Sequence, residues 1–203
     1  MPLAPEAAPP ARQAAGNLGR RRLPVSARTI AVMAVCIAIV AVLVAVVPVP
    51  IPATGGYTHP GAVAEMFVAM AFGPLVGAVA AGLGAAISDL VLGYGSFAPL
   101  TLVAHGALGA LAGWLGWKKG WGGMLVGWVV GGLALVAVYF IGEATVYGFG
   151  VAGAAAELPI NLFQVGLGIL GILLFQLVKR AYPPIEQLAG GVKFQEAQPP
   201  KTT

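Results

Sequence analysis

The sequence predicts an all-α integral membrane protein, a six-helix bundle with both termini cytoplasmic. Three observations carry that prediction. Hydrophobic residues make up 59% of the chain and charged residues only 9%, with 30 glycines among 203 positions, a composition far from that of a soluble domain. Apolar runs recur between Pro- and Gly-rich breaks at spacings that suit membrane helices. The Lys and Arg residues all fall in alternate connections, the pattern that orients membrane proteins.

Residues 1–29 are rich in Ala, Pro and Arg without apolar periodicity, and read as a basic, disordered cytoplasmic tail. The transmembrane domain is expected over residues 30–180, with a second cytoplasmic tail over 181–203. Residues 30–47 run for 18 positions without a polar side chain and stop at Pro48, a spanning helix of about 27 Å. A basic start before an apolar run also fits a cleaved signal peptide, but those have a core of only about 7–15 residues. Three alternating prolines and a glycine pair make residues 48–60 a loop. Residues 61–72 are apolar except for Glu65 and reach only about 18 Å as a helix.

Gly73-Pro74 turns the chain into the segment around which the rest is organised, a helix over about 75–92. Gly73, Gly77, Ala81 and Ala85 recur every four positions and form one smooth face for a close helix neighbour. Asp89 lies near its end, followed by the turn Gly93-Tyr94-Gly95-Ser96 and a fourth helix over about 98–115 that contains His105. Trp114, Trp117, Lys118, Lys119 and Trp121 mark an interface. The fifth helix, about 123–141, repeats the small-residue spacing at Gly123, Gly127 and Gly131. A Gly- and Ala-rich connection is expected to Glu157, and the last helix is expected over 159–178 with Pro159 in its first turn.

With six crossings, both tails and the 116–122 connection share one side. Five basic residues lie in the N-terminal tail, two in that connection and four from Lys179 onward, which accounts for all 11 in the chain. Loops 48–60, 93–97 and 142–158 hold none, so they are expected outside. A five-span alternative that omits residues 61–72 breaks this separation, so the short segment is expected to cross among its neighbours. The net charge of +4 therefore marks membrane orientation; there is no basic patch with interleaved aromatics to suggest nucleic acid. Cys36, the single cysteine, allows neither an internal disulfide nor a cysteine metal site.

This topology gathers the polar residues at the outer end. Tyr57, His59 and Glu65 accompany the second helix, Asp89 and Tyr94 end the third, and Glu143 and Tyr147 follow the fifth. Glu157, Asn161 and Gln164 descend one face of the sixth at i, i+4 and i+7. Each of these, taken singly, could be an interhelical hydrogen bond or a headgroup contact; together they describe an outward-opening pocket. Tyr57, His59, Asp89, Tyr94, Tyr147, Glu157, Asn161 and Gln164 form the expected ligand-binding set. Aromatic faces and two-way amides suit a small planar heterocycle.

Catalysis has little support: no HExxH, GxSG or GK[ST] motif is present, and Ser88-Asp89 with a distant His105 is a weak hydrolytic set. A metal site from His59, Glu65, Asp89 and His105 would need ligands from three helices to converge. No cofactor, metal or enzymatic role is expected.

The stretch FGPLVGAVAAGLGAAISDLVLGY, followed by APLTLVAHGALGALAG and later AELPINLFQ, resembles the substrate-binding S components of energy-coupling factor (ECF) vitamin transporters over about residues 27–180. The resemblance implies a prokaryotic cell-membrane protein. Such a protein binds a vitamin or precursor, riboflavin or a thiamine-precursor pyrimidine, from outside. It delivers the ligand with a transmembrane coupling protein and two ATPase subunits. It also implies a docking pair of alanines four apart on the first helix: Ala34 with Ala38, or a register starting at Ala31, which Val35 follows four residues later. The alternative is a self-sufficient ion or proton carrier with Glu65, Asp89 and His105 as relay.

Overall fold

The computed structural model describes residues 26–52 and 54–189. Ser26 starts the first helix by accepting a hydrogen bond from the Thr29 N–H at 3.1 Å. That helix, α1, covers Ala27–Val46 and ends as Pro48 disfavours helical geometry at Val47. The chain continues through strands β1 (Val49–Ile51) and β2 (Gly56–Thr58), then α2 (Ala62–Phe72), α3 (Pro74–Leu92), α4 (Ala98–Gly116) and α5 (Gly120–Ile141). A π-helical turn, Gly142–Val146, leads to α6 (Gly150–Ala181), and a 3-10 turn over Pro183–Gln187 follows. Among the described residues five helices are long and apolar enough to cross a membrane, and α2 is a sixth, shorter one.

Two departures from the sequence expectation shape the polar end of the bundle. The loop 48–60 contains an antiparallel hairpin that pairs Val49 with Thr58, Pro50 with Tyr57 and Ile51 with Gly56. Alternate prolines conceal this pattern, yet a two-stranded ribbon leaves enough unpaired positions to accommodate them. The last helix begins at Gly150, so Pro159 lies inside it. A proline there removes one helical hydrogen bond at a cost of about 3 kcal/mol. Ala152, Ala154, Ala155 and Ala156 are strong helix formers around it, and the burial of Ala154 and Glu157 fixes the added turns.

The small-residue faces are the close contacts of the bundle: α3 packs along α4, α4 along α5, and α1 along α3. A Cβ at Gly77 would come 2.7 Å from the Gly109 carbonyl oxygen, and one at Gly131 would come 2.8 Å from that of Leu108. Ala81 and Ala85 are fully buried. Gly73 separates α2 from α3 at φ 84°, a conformation that favours glycine, and a Cβ there would meet the Trp117 ring.

One end of the bundle therefore joins the α2–α3 and α4–α5 connections to the C-terminal end of α6, where Ile185 joins the core. Thr29 donates to the Ala189 carbonyl, which brings the start of α1 to that same end. Every basic residue described, Arg28, Lys118, Lys119, Lys179 and Arg180, belongs to these segments. At the opposite end lie the hairpin, the end of α3, the start of α4 and the π turn. Helix α2 runs between the two ends with eight of its eleven residues buried, packed chiefly on α6. Of the expected tails, residues 1–25 and 190–203 lie outside the described residues.

Candidate functional site

At the hairpin end, four helices and the π turn surround a small polar cavity of about 20 Å³, room for a water molecule. Its lining comes from six segments of the chain. The hairpin and the residue after it supply Gly56, Tyr57 and His59, α3 supplies Asp89, and the start of α4 supplies Phe97 and Thr101. The end of α5 supplies Tyr139, the π turn Glu143, and α6 Glu157, Asn161 and Gln164. The i, i+4, i+7 face of α6 thus points into one cavity, and all three of its residues are buried.

The hairpin is fastened over this cavity by side chains. Thr54 donates to Glu157 Oε1, and Thr58 donates to Gln164 Oε1 at 2.7 Å. The His59 backbone N–H also reaches Gln164 Oε1, at 3.4 Å. Tyr57 donates its hydroxyl to Asp89 Oδ1 at 2.7 Å. Burial and this bond to Asp89 push the Tyr57 phenol well above its ordinary range. His59 accepts from the Gly61 N–H on Nδ1 at 3.1 Å, which leaves Nε2 as its donor. Burial, and then the neighbouring His105, hold His59 well below the usual imidazole range, so it is neutral at physiological pH.

Six of the eight residues expected from the sequence line the cavity. Tyr94 and Tyr147 stand behind its wall. Tyr94 packs on Tyr57 with ring centroids 4.5 Å apart. Tyr147 stacks on Phe97 at 5.1 Å and donates to the Ser96 carbonyl at 2.6 Å. Gly56, Phe97, Thr101, Tyr139 and Glu143 were not in the expected set. Thr101 lies one turn before His105, and Tyr139 one turn before Glu143, so helical spacing from residues already noted could have found both. Thr101 and Tyr139 share a 2.9 Å hydrogen bond.

Beneath the cavity, His105 donates from Nδ1 to Glu65 Oε1 at 2.8 Å, and both side chains are fully buried. The His59 and His105 rings lie 5.4 Å apart. Several polar atoms at this end have no hydrogen-bond partner among the described residues: Asp89 Oδ2, both Glu143 oxygens, Glu65 Oε2 and His105 Nε2. Burying polar atoms in that state is costly.

On the first helix, Ala31, Ala34 and Ala38 are all exposed. Beside them a largely apolar groove of about 320 Å³ runs between α1 and α2, lined by Ala31, Val35, Ile39, Phe67 and Phe72 among others.

A bundle of apolar helices closed around a polar cavity defines a multi-pass membrane protein of the solute-binding type. The chain belongs to the family described as ECF-type riboflavin transporter, S component, whose profile matches residues 24–180. It is 42% identical over 143 residues to an uncharacterized protein in the gap 3' region of Pyrococcus woesei, covering 68% of this chain and 93% of that one. It is 34% identical over 110 residues to the thiamine precursor transporter HmpT of Lactococcus lactis subsp. cremoris (strain MG1363), covering 54% of this chain and 61% of the relative. A solved structure described as "Structure and mechanism of the S component of a bacterial ECF transporter" shares the fold. Its TM-score is 0.62 at 18% identity, over 76% of this chain and 96% of the other. Family and fold are those of vitamin-type transporter S components.

Proposed function

We propose that this chain captures a B-vitamin or vitamin precursor, riboflavin or a thiamine-precursor pyrimidine, outside a prokaryotic cell. An ECF coupling protein and two ATPase subunits then drive its uptake. The observation that carries this reading is the cavity at the hairpin end, built from residues of six segments and holding carboxyl oxygens that lack donors. Tyr57 and His59 supply ring faces and edges, while Asn161 and Gln164 supply groups that can both donate and accept. The thiamine-precursor relative supports a small heterocycle, and the family description supports a flavin. A cavity of about 20 Å³ holds neither while the hairpin is fastened down, so loading must release the Thr54–Glu157 and Thr58–Gln164 contacts.

Orientation follows from charge. Every described Lys and Arg belongs to the end opposite the cavity, so that end faces the cytoplasm and the cavity faces out. The exposed alanines Ala31, Ala34 and Ala38 are the docking face for the coupling protein, because small side chains admit a close helix neighbour. No catalytic step is assigned.

Native mass spectrometry of the purified chain, followed by titration with riboflavin and with the thiamine-precursor pyrimidine, tests the capture reading. Submicromolar retention of either by the isolated chain is the expected result. If neither is retained while the chain alone moves protons across vesicles, the ion-carrier reading replaces it. The buried Glu65–His105 pair is the observation that favours that second reading.

A further inference from the structure

A second space adjoins the cavity on the other side of the hairpin. It is a groove of about 330 Å³ between the end of α1 and α6, and Val47, Val49, Phe163 and Leu167 give it an apolar lining. Val47, Val49 and Phe163 are each more than half exposed. On the perimeter of a membrane bundle, the open side of such a groove meets lipid.

The wall between groove and cavity is one strand and the residue after it. Tyr57 lines the cavity and Thr58 the groove, because successive residues of a strand point to opposite faces. His59 lines both. The Thr58 hydroxyl, from the groove side, donates at 2.7 Å to Oε1 of Gln164, which lines the cavity. On α6 the same boundary runs between Gln164 and its helix neighbours Phe163 and Leu167.

Loading requires the Thr58–Gln164 contact to open, and that contact ties the groove lining to the cavity lining. Once it opens, the two spaces join into one within the range of about 300–1,000 Å³ usual for small-molecule pockets. The halves differ in chemistry. The cavity holds carboxyl oxygens of Asp89 and Glu143 that lack donors among the described residues, whereas the groove offers apolar surface. A cavity of about 20 Å³ leaves a ring system outside, and the groove is the adjoining space with room for one.

We infer that the groove between α1 and α6 is the second half of the capture site and takes the apolar body of a ligand whose polar edge enters the cavity. The ligand class is a fused-ring heterocycle, polar along one edge and apolar along the other. Arriving from water, its apolar body gains free energy in proportion to the area removed from water, whether side chains or lipid cover it. A single small ring leaves the groove empty and gains nothing from it. This inference rests on the capture reading and goes beyond it by placing a binding subsite outside the polar cavity.

The test measures binding of two probes, lumichrome and alloxazine, to the purified full chain. They share three fused rings and a polar edge and differ by two methyl groups at the apolar end. Lumichrome is expected to bind about tenfold more tightly, the gain for burying those methyl groups. Leu167→Trp fills the groove and is expected to weaken lumichrome at least about tenfold while thermal unfolding is unchanged. Phe163→Ala keeps the test readable should the tryptophan variant fail to fold, because the Phe163 side chain is 65% exposed. It removes part of the groove and is expected to bring the two probes within about threefold of each other. All variants are compared in one detergent, so partition of the probes into micelles cancels.

Equal affinity of the unmodified chain for the two probes, or lumichrome binding that neither substitution alters, overturns the inference. Retention of the thiamine-precursor pyrimidine without either probe overturns it while the capture reading stands. A phospholipid adduct in native mass spectra that lumichrome does not displace and Leu167→Trp abolishes gives the groove to an acyl chain, and likewise overturns it. Failure of both probes, riboflavin and the pyrimidine to bind removes the capture reading as well.

Discussion

The two ends of this bundle solve opposite packing problems. Where α2, α4 and α5 converge on the basic end, glycine and alanine let backbones touch, and the space is filled by Met66, Met70, Met124 and Phe175. At the hairpin end the same helices spread around carboxyl groups that the chain leaves short of donors. In the proposed capture reading, the second arrangement keeps polar groups available for a ligand on a frame supplied by the close-packed half. Stability and recognition are thus separated along the bundle axis, and the contrast can be broken at either end.

The largest effect is expected in the close-packed half. A Cβ at Gly109 would run into the Gly77 carbonyl, and backbone cannot move aside as a flexible side chain can. Gly109→Leu should therefore cost roughly 1–3 kcal/mol or more and yield aggregated protein on gel filtration in detergent. A monodisperse variant with unchanged thermal unfolding would show that this helix pair is looser than its geometry.

An intermediate effect is expected at the cavity. Gln164→Ala removes from the cavity lining an amide that can both donate to and accept from a ligand once the hairpin is released. It should weaken ligand binding roughly 5- to 150-fold, the equivalent of about 1–3 kcal/mol, while the protein stays folded. Leu170, 49% exposed on the same helix, serves as the control, since Leu170→Ile should alter neither property. A matching titration for Gln164→Ala and the unmodified chain would remove α6 from the site.

The smallest effect on the isolated chain is expected on α1. Ala38→Trp places a bulky ring on an exposed face and should leave ligand affinity unchanged. Uptake by cells carrying the whole transporter should nevertheless fall, because the close approach of a partner helix is blocked. Equal loss of binding and uptake would mean that this face supports folding.

The close-packed half was readable because its signal is local. Four-residue spacing of small side chains, prolines at helix starts and the separation of basic residues are all properties of short windows, and Gly77, Gly127 and Gly131 proved to be contact points. The polar half was readable in outline, through charged residues that have no reason to lie in an apolar chain. It was not readable in detail at Gly56 and Phe97, which are ordinary residues until the fold brings them to Asp89 and Glu157. The start of α6 differs from the expectation because Pro159 suits a first turn, and only the folded chain, in which Ala154 and Glu157 are buried, shows the helix running on before it.

Helix α2 carries a consequence for how the chain is made. With eleven residues and a carboxylate at Glu65, it is too short and too polar to partition into lipid unaided. Its main neighbour, α6, comes last in chain order among the six helices described, and the partner of Glu65 arrives only with α4. Throughout synthesis α2 must therefore wait at the translocon or at the membrane surface, and it enters the bilayer as part of a nearly finished bundle. Assembly of this protein is in that respect a post-translational event, and the cell's membrane chaperones and proteases meet it first as a chain with one helix still unplaced.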